Sequence, residues 1–288
     1  MGITMKSIHK GILCIIASAF FFALMNVFVR ISGDLPFIQK SFFRNFVALV
    51  FAFIVIKRQG EEFRCKRENI KFLLLRSAFG TLGILCNFYA IDHLVLSDAS
   101  MLNKMSPFFI IILSYIFLKE KINLMQISAV ILAFVGSIFI IKPTFSNMDL
   151  FPSLIGLLGG FAAGAAYTAI RHLGNRGQKG PFIVFFFSAF SCLVTLPVIL
   201  FTFEPMTLQQ FVYLLLAGGA AAGGQFTITA AYAYAPAKDI SVYDYSSVIF
   251  SAILGYFIFA QVPDGLSIIG YVIICSTAVW MFYYGSRK

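Results

Sequence analysis

Long apolar stretches separated by short polar connections run along the whole chain. A helix that crosses a bilayer needs roughly 20 mostly apolar residues, and stretches of this kind recur about ten times. They predict membrane spans at about residues 9–30, 36–57, 70–91, 97–118, 123–141, 153–171, 181–202, 207–234, 240–260 and 265–284. Because only short loops remain between them, the pattern predicts an all-α integral membrane protein that works within the bilayer.

The composition supports this prediction. Hydrophobic residues make up 60% of the chain, 35 residues are Phe, the mean hydropathy is +0.90, and only 12% of the residues are charged. A soluble domain carries roughly 25% charged residues. The composition therefore excludes an ordinary soluble enzyme or binding domain.

The chain has a net charge of +10, and the distribution of its basic residues among the loops indicates the orientation of the chain in the membrane. Sixteen Lys and Arg residues fall in the tails and loops of one predicted side, whereas Arg30, Lys40 and Lys142 fall on the other. Cytoplasmic loops carry the excess of Lys and Arg, so we expect both termini in the cytoplasm, as an even number of spans requires. This placement predicts no nucleic-acid partner, and the short loops favour a bacterial inner (plasma) membrane.

The two halves of the chain resemble each other. At an offset of 141 residues, six identical pairs join spans four and nine: Ser100/Ser241, Ser106/Ser247, Phe109/Phe250, Ile112/Ile253, Leu113/Leu254 and Tyr115/Tyr256. Spans two and seven both open with Pro-Phe-Ile, and spans one and six both end in Arg. This order predicts two five-span repeats, at 9–141 and 151–285. Because five is odd, the second repeat would be inverted in the membrane, a construction that recurs in secondary transporters.

Several local motifs resemble one family of transporters. They are Phe43-Arg44 in span two, Leu75-Arg76 with Gly80 in span three, Ser106-Pro107-Phe108 in span four, and Leu118-Lys119-Glu120-Lys121 with Gln126 after it. With the doubled five-span unit, they resemble the drug/metabolite transporter superfamily, specifically its ten-span permeases built from two EamA domains. The end of span nine, Tyr256 to Phe259 and then Pro263-Asp264, is similar to the branch of S-adenosylmethionine and riboflavin permeases.

The resemblance implies a ten-helix fold that moves a small substrate by alternating access, without enzymatic chemistry or a cofactor. A monomer is sufficient, because both repeats lie in one chain. Family members usually carry a Glu after span nine, where this chain has Gln261. The resemblance therefore does not imply a symmetric acidic pair here.

Four ionisable residues stand out within the predicted spans, where an ionisable residue costs roughly 2.5–3.5 kcal/mol to insert unless it is paired or solvated. They are Arg44, Arg76, Lys104 and Asp244. From a rise of ~1.5 Å per residue, we place Arg44 and Lys104 in the outer half of the membrane and the other two in the inner half. We predict an ion pair between Arg76 and Asp244, and excess positive charge in the outer half that suits a carboxylate or phosphate. Snorkelling of the long basic side chains to the headgroups is the alternative.

Polar and aromatic neighbours of these charges complete the predicted substrate site. They are Asn103, Tyr243, Tyr245, Tyr89 and Tyr232. Aromatic walls bind planar or cationic groups, whereas a position in the interfacial belt is the alternative for tyrosines. Asp244 has a further candidate role in proton coupling, since desolvation favours the neutral form of a carboxyl group.

Motifs of enzymes and metal sites are absent from the sequence. HExxH, GxSxG and Walker A patterns do not occur, and the five Cys residues form no CxxC pair, so neither a metal site nor a disulfide is predicted. We predict a secondary transporter for a small anionic or zwitterionic metabolite with an aromatic part, such as an amino acid, nucleoside derivative or vitamin. The cavity would be lined by spans one, three, four, six, eight and nine. A flippase for a lipid or polyprenyl carrier is the alternative, and it would need a cavity open sideways to lipid.

Overall fold

The computed structural model describes residues 5–60, 63, 65–118, 124–141, 149–234 and 241–286. These residues are almost entirely helical, and no strand occurs in the described ranges. The α-helices are α1 (Met5–Ile31), α2 (Phe37–Arg58), α3 (Ile70–His93), α4 (Leu96–Asn103), α5 (Ser106–Leu118), α6 (Leu124–Ile141), α7 (Leu150–Asn175), α8 (Gly180–Thr202), α9 (Leu208–Tyr234), α10 (Ser246–Phe259) and α11 (Gly265–Ser286). The predicted all-α class is confirmed.

Among the described residues, six helices are long and apolar enough to cross a membrane, and they occupy predicted spans one, two, three, six, seven and eight. Shorter apolar helices at Ile127–Ile141, Tyr243–Phe259 and Gly265–Met281 occupy predicted spans five, nine and ten. The outer surface of the bundle is apolar, with Phe201 90% exposed and Phe257 78% exposed. An apolar surface of this extent suits contact with lipid.

Predicted span four is a broken helix. α4 ends at Asn103, and the N–H of Met105 turns back to the carbonyl of Leu102 at 3.2 Å before α5 begins at Ser106. Pro107 cannot donate the backbone hydrogen bond that would continue α4 through this point. The break therefore places Lys104 between two helical segments in the middle of the bundle.

Predicted span nine changes its helix type at the corresponding place. A 3-10 segment, Ser241–Tyr245, leads directly into α10. At the repeat offset of 141 residues, Tyr245 corresponds to Lys104. Interrupted helices of this kind form the binding sites of many secondary transporters.

Small residues allow the helices to approach closely. α1 packs along α9 and α10, α3 along α7 and α8, and α6 along α11. A Cβ on Gly160 in α7 would lie 2.5 Å from the carbonyl oxygen of Leu102 in α4, and one on Gly218 in α9 would lie 2.5 Å from Val47 in α2. Close packing of this kind drives helix association in lipid, so these glycines bring the helix backbones together.

Polar ties connect the helices at the end of the bundle that holds the α1–α2 connection. The Lys40 ammonium binds both carboxylate oxygens of Asp92, at 2.7 and 2.8 Å. The Gln39 side chain exchanges two hydrogen bonds with the backbone of Glu204, and Arg30 donates to two carbonyl oxygens at the end of α3. These contacts hold α1, α2, α3 and α8 together at this end.

Candidate functional site

A central cavity of about 110 Å³ lies between the broken span four and the helices around it. Its polar lining consists of Asn26, Arg44, Arg76, Asn87, Ser100, Asn103, Lys104, Tyr167, Gln225, Ser247 and Ser251. The six spans that were predicted to line the cavity, spans one, three, four, six, eight and nine, all contribute residues to its wall. Arg44 from α2 and Phe187 from α8 also line it, so spans two and seven join the site.

The Lys104 ammonium donates to Asp244 Oδ2 at 2.6 Å. The two side chains are 12% and 17% exposed, respectively. The break in span four and the 3-10 start of span nine bring these residues together at the same depth. The predicted ion pair between Arg76 and Asp244 is therefore wrong, and so is the assignment of Lys104 and Asp244 to opposite halves of the membrane.

Arg44 is 2% exposed and extends from α2 into the cavity wall. Its Nη1 donates to Asn45 Oδ1 at 2.6 Å, and the Asn45 amide is held by Ser41 and by Ser191 Oγ at 2.9 Å. The Nε of Arg44 is buried without a hydrogen-bond partner in the described part of the chain. The neighbouring side chains thus fix the direction of this guanidinium but leave donor capacity unused.

Arg76 is 4% exposed, and its guanidinium lies over the ring of Phe187, with Cζ 4.0 Å from the ring centroid. The side chain runs along its own helix across Gly80, where a Cβ would overlap Nη1. The same Phe187 ring lies 6.0 Å from Cζ of Arg44. Neither long side chain snorkels to a helix end, because both reach one aromatic ring at the cavity.

The cavity carries excess positive charge. The described residues place no carboxylate within salt-bridge distance of Arg44 or Arg76, whereas Lys104 is neutralised by Asp244. The excess was predicted from Arg44 and Lys104 in the outer half, and the part assigned to Lys104 is wrong because Asp244 neutralises it. The positive charge of this wall comes from Arg44 and Arg76 instead. A guanidinium binds carboxylates and phosphates through paired N–H donors, so this wall is suited to an anion.

The tyrosines beside Asp244 face away from the central cavity. Tyr245 is buried, and its hydroxyl donates to the carbonyl of Lys104 at 3.1 Å, which stabilises the break in span four. Tyr243 and Tyr245 both line a separate apolar groove of about 590 Å³ beside α1, α10 and α11. Neither is among the residues that line the central cavity, and the substrate contact predicted for them stays a prediction.

The remaining predicted site residues fall in three different places. Asn103 lines the cavity beside Lys104. Tyr89 lies near the C-terminal end of α3, where it stacks on His93 with centroids 4.2 Å apart and meets Phe151 edge-on. The side chain of Tyr232 lies outside the described part of the structure.

The sequence prediction missed several neutral residues of the wall. Three of them are side-chain amides within mostly apolar spans: Asn26, Asn87 and Gln225. Such an amide must find a polar partner or line a cavity, because an unsatisfied polar group in lipid costs several kcal/mol. That signal was available, whereas the position of Phe187 among 35 Phe residues depends on the fold.

Clusters suited to a metal ion are not found in the described ranges, where no group of three His, Cys, Asp or Glu side chains converges. The fold and the cavity define a multi-pass membrane protein with a charged site at its centre. Residues 9–142 and 150–283 each match the EamA-like transporter family. The chain belongs to the EamA-like transporter family, which confirms the resemblance to the drug/metabolite transporter superfamily.

Several relatives are named as an exporter, a transporter or a solute carrier. The pseudopaline exporter of Pseudomonas aeruginosa is 33% identical over 93% of this chain and 94% of its own length. A riboflavin transporter of Vibrio cholerae is 24% identical over 97% of this chain and 95% of its own length. Solute carrier family 35 member G1 of Homo sapiens is 28% identical over 93% of this chain and 78% of its own length.

The fold is also similar to that of a solved protein. One crystal structure of a protein matches with a TM-score of 0.67, 14% sequence identity, and coverage of 97% of this chain and 98% of that chain. At this identity the match supports the fold alone.

Proposed function

We propose that this protein is a secondary transporter that moves a small anionic or zwitterionic metabolite across the membrane by alternating access. The observation that carries the proposal is the central cavity in which two buried guanidiniums face no described carboxylate. A buried charge without a partner is costly in a membrane. An anionic ligand that enters from water supplies the missing partner and makes no demand for chemistry, so we infer that the protein is not an enzyme.

The helix directions support an inverted repeat. Arg30 at the end of α1 binds the end of α3, so α1 and α3 run in the same direction. Tyr89 near the end of α3 contacts Phe151 at the start of α7, and Phe72 near the start of α3 contacts the ring of His172 near the end of α7. α7 therefore runs opposite to α1, its predicted repeat partner, as an inverted second repeat of five spans requires.

The size of the cavity supports movement between states. Ligand sites usually enclose roughly 300–1,000 Å³, and this cavity encloses about 110 Å³. A metabolite needs more space, so the helices around the cavity must separate to admit it. We propose that the ten spans open the cavity to one side at a time.

The relatives and the charge pattern support a location and a direction. Basic residues concentrate on one predicted side, which supports two cytoplasmic termini in a bacterial inner membrane. The relative at 33% identity is named an exporter, so we propose export as the direction to be tested first.

We propose Asp244 as the residue through which a coupling proton would act. Its carboxylate binds the cavity-lining Lys104, and its Oδ1 has no partner among the described residues. Protonation would release Lys104 and change the charge of the cavity. Asp244→Asn should then make transport insensitive to an imposed pH gradient. A gradient-dependent Asp244→Asn variant would overturn this role.

The first experiment is a thermal-shift screen of the purified protein against amino acids, nucleosides, vitamins and S-adenosylmethionine. A ligand at a hundredfold excess over its dissociation constant stabilises the protein by ~2.7 kcal/mol. Hits are then tested for uptake into proteoliposomes with wild-type protein and with Arg44→Gln. We expect an anionic or zwitterionic hit whose uptake is lost in the variant. Hits confined to cations or neutral compounds would contradict the proposal.

A lipid or polyprenyl-carrier flippase is the second candidate, and the lateral groove is the observation that favours it. The groove encloses about 590 Å³ and is lined by exposed apolar side chains, including Ile249 and Ile253. It is a place where an acyl chain could lie while a headgroup enters the bundle. Transfer of a fluorescent phospholipid between leaflets of proteoliposomes, with no soluble anion transported, would favour this candidate.

A further inference from the structure

We propose that the substrate carries two acidic groups, one bound by Arg44 and the other by Arg76. This inference rests on the proposed transport function and narrows its substrate class from anionic or zwitterionic compounds to dianions. Such a compound carries two carboxylates, or a carboxylate and a phosphate, on a compact framework.

The two guanidiniums converge on one side of the cavity. Their Cζ atoms lie 6.0 and 4.0 Å from the centroid of the same Phe187 ring. The two carbons are thus at most about 10 Å apart, the sum of the two distances. Two acidic groups of one small molecule can span such a separation, so a single ligand can reach both.

The charge of the cavity requires two negative groups. Lys104 is already neutralised by Asp244 at 2.6 Å. Arg44 and Arg76 have no described carboxylate partner, so two positive charges remain. A monocarboxylate bound to one guanidinium would leave the other charge buried and unpaired, which is the costly arrangement.

Donor capacity points to the same conclusion. A guanidinium has five N–H donors, and the Nε atoms of Arg44 and Arg76 are both buried without a partner in the described structure. The Arg44 group uses one donor on Asn45. Each group therefore retains enough donors for the paired hydrogen bonds by which Arg binds an acid.

Neighbouring residues hold both guanidiniums in place, as expected of a preorganised binding site. Asn45 is fixed by Ser41 and Ser191 and in turn orients Arg44. Gly80 leaves the space in which the Arg76 side chain lies against Phe187. Neither arrangement would be needed by an arginine that served only to reach the headgroups.

The test compares acids that differ by one carboxylate. Thermal shift and calorimetric titration of the full-length protein in detergent are run with benzoate against isophthalate and with butyrate against glutarate. A charge-assisted pair adds about 1.5–3 kcal/mol, so we expect the wild-type protein to bind the dianion of each pair about 10- to 150-fold more tightly. Arg44→Gln and Arg76→Gln should each reduce that ratio to near one.

Two further variants separate binding from folding. Arg76→Lys keeps the positive charge but loses the paired N–H donors. We expect this variant to retain only part of the preference for the dianion over the monoanion. Gly80→Ala keeps both charges but displaces the Arg76 guanidinium, so the preference should also fall. Gly219→Ala is the matched control, because nothing lies within 4 Å of the added Cβ, and it should bind as the wild type does.

The outcomes distinguish this inference from the function on which it rests. Equal affinity of the wild-type protein for both members of each pair overturns the two-acid substrate and leaves anion transport standing. A dianion preference that persists in both Gln variants assigns the binding elsewhere and also overturns it. If no probe binds, while a cation or a phospholipid does, the two-acid substrate and the proposed function fail together.

Discussion

At the scale of single residues, the three basic side chains of the central cavity are each held in a different way. Lys104 has a carboxylate partner, Arg76 lies on an aromatic ring, and Arg44 has a fixed amide neighbour. Two like charges at most about 10 Å apart repel by at least about 1.7 kcal/mol at an effective dielectric of about 20. The arginine pair is therefore destabilised in the empty protein, and this energy is released when an anion binds.

Removing one member of the Lys104–Asp244 pair should destabilise the protein more than removing both. The remaining charge would be buried without a partner, which costs about 3–5 kcal/mol. We expect Lys104→Ala and Asp244→Ala each to lower the melting temperature in detergent, and the double variant to recover most of the loss. Melting temperatures that fall additively in the double variant would show that the two side chains are not coupled.

The four intramembrane charges could be identified from sequence, but their partners could not. Depth was inferred from a uniform helical rise, which fails where span four is broken at Lys104 and span nine starts as a 3-10 segment. That error produced the wrong pair of Arg76 with Asp244. The substrate contacts assigned to Arg44, Arg76, Lys104 and Asn103 stay predictions.

At the scale of helices, the site depends on close contacts between backbones. Gly160 of α7 lies against the carbonyl of Leu102, two residues before Lys104 at the break in span four. Tyr245 caps the break from the other side through its bond to Lys104. α7 and the start of span nine thus hold the two halves of the broken helix in register.

Gly160→Ala should destabilise the protein by forcing α7 away from α4. Its Cβ would lie 2.5 Å from a backbone oxygen that cannot rotate away, and overpacking of this kind costs about 1–3 kcal/mol. We expect a lower melting temperature and weaker ligand binding. Gly219→Ala is the control, since its Cβ has free space and alanine favours a helix by up to about 1 kcal/mol. An unchanged Gly160→Ala protein would show that this contact can relax.

Long apolar spans were predictable because length and hydropathy alone decide them, and six of them match helices of spanning length. The break in span four was signalled only by Pro107. The 3-10 start of span nine has no such residue, and it is visible only through the packing of Tyr245 against Lys104.

At the scale of the whole molecule, polar contacts join three helices at the end of the bundle that holds the α1–α2 connection. Lys40 and Asp92 join α2 to α3, and Gln39 joins α2 to the end of α8. On the proposed function, this end faces away from the cytoplasm and these contacts break when the cavity opens outward.

Asp92→Asn should increase access to the cavity from the outside. The variant removes the negative charge of the Asp92 side chain and so weakens its bond to Lys40. This weakening shifts the population toward the state in which the cavity is open to the outside. A Ser100→Cys probe in an otherwise cysteine-free protein should react severalfold faster with a membrane-impermeant maleimide. Asp34→Asn removes an exposed charge near the same end and should leave the rate unchanged. Equal rates in both variants would exclude a gating role for the tie.

The connection between α2 and α3 provides a test of orientation. Cys65 lies there, outside the spans, and burial raises the pKa of its thiol. Because the thiolate reacts, maleimide labelling should be slow at neutral pH and accelerate as the pH rises. If the termini are cytoplasmic, an impermeant maleimide should label Cys65 in inverted vesicles only. Labelling in right-side-out vesicles would reverse the proposed topology.

The repeat was predictable from a few aligned pairs, and the two family matches at residues 9–142 and 150–283 agree with a doubled chain. The repeat boundaries at 9–141 and 151–285 stay predictions. Size and openness of the cavity could not be predicted, because they depend on which conformation the bundle adopts.

The two unpartnered arginines also connect this protein to the membrane voltage. Moving one elementary charge through a potential difference of 100 mV changes its free energy by about 2.3 kcal/mol. For the two arginines together the change is about twice as large. A dianion would cancel this charge, so on the proposed function the voltage acts on the empty carrier and hardly at all on the loaded one. An inside-negative potential then draws the empty site toward the cytoplasm, which is where an exporter collects its next substrate.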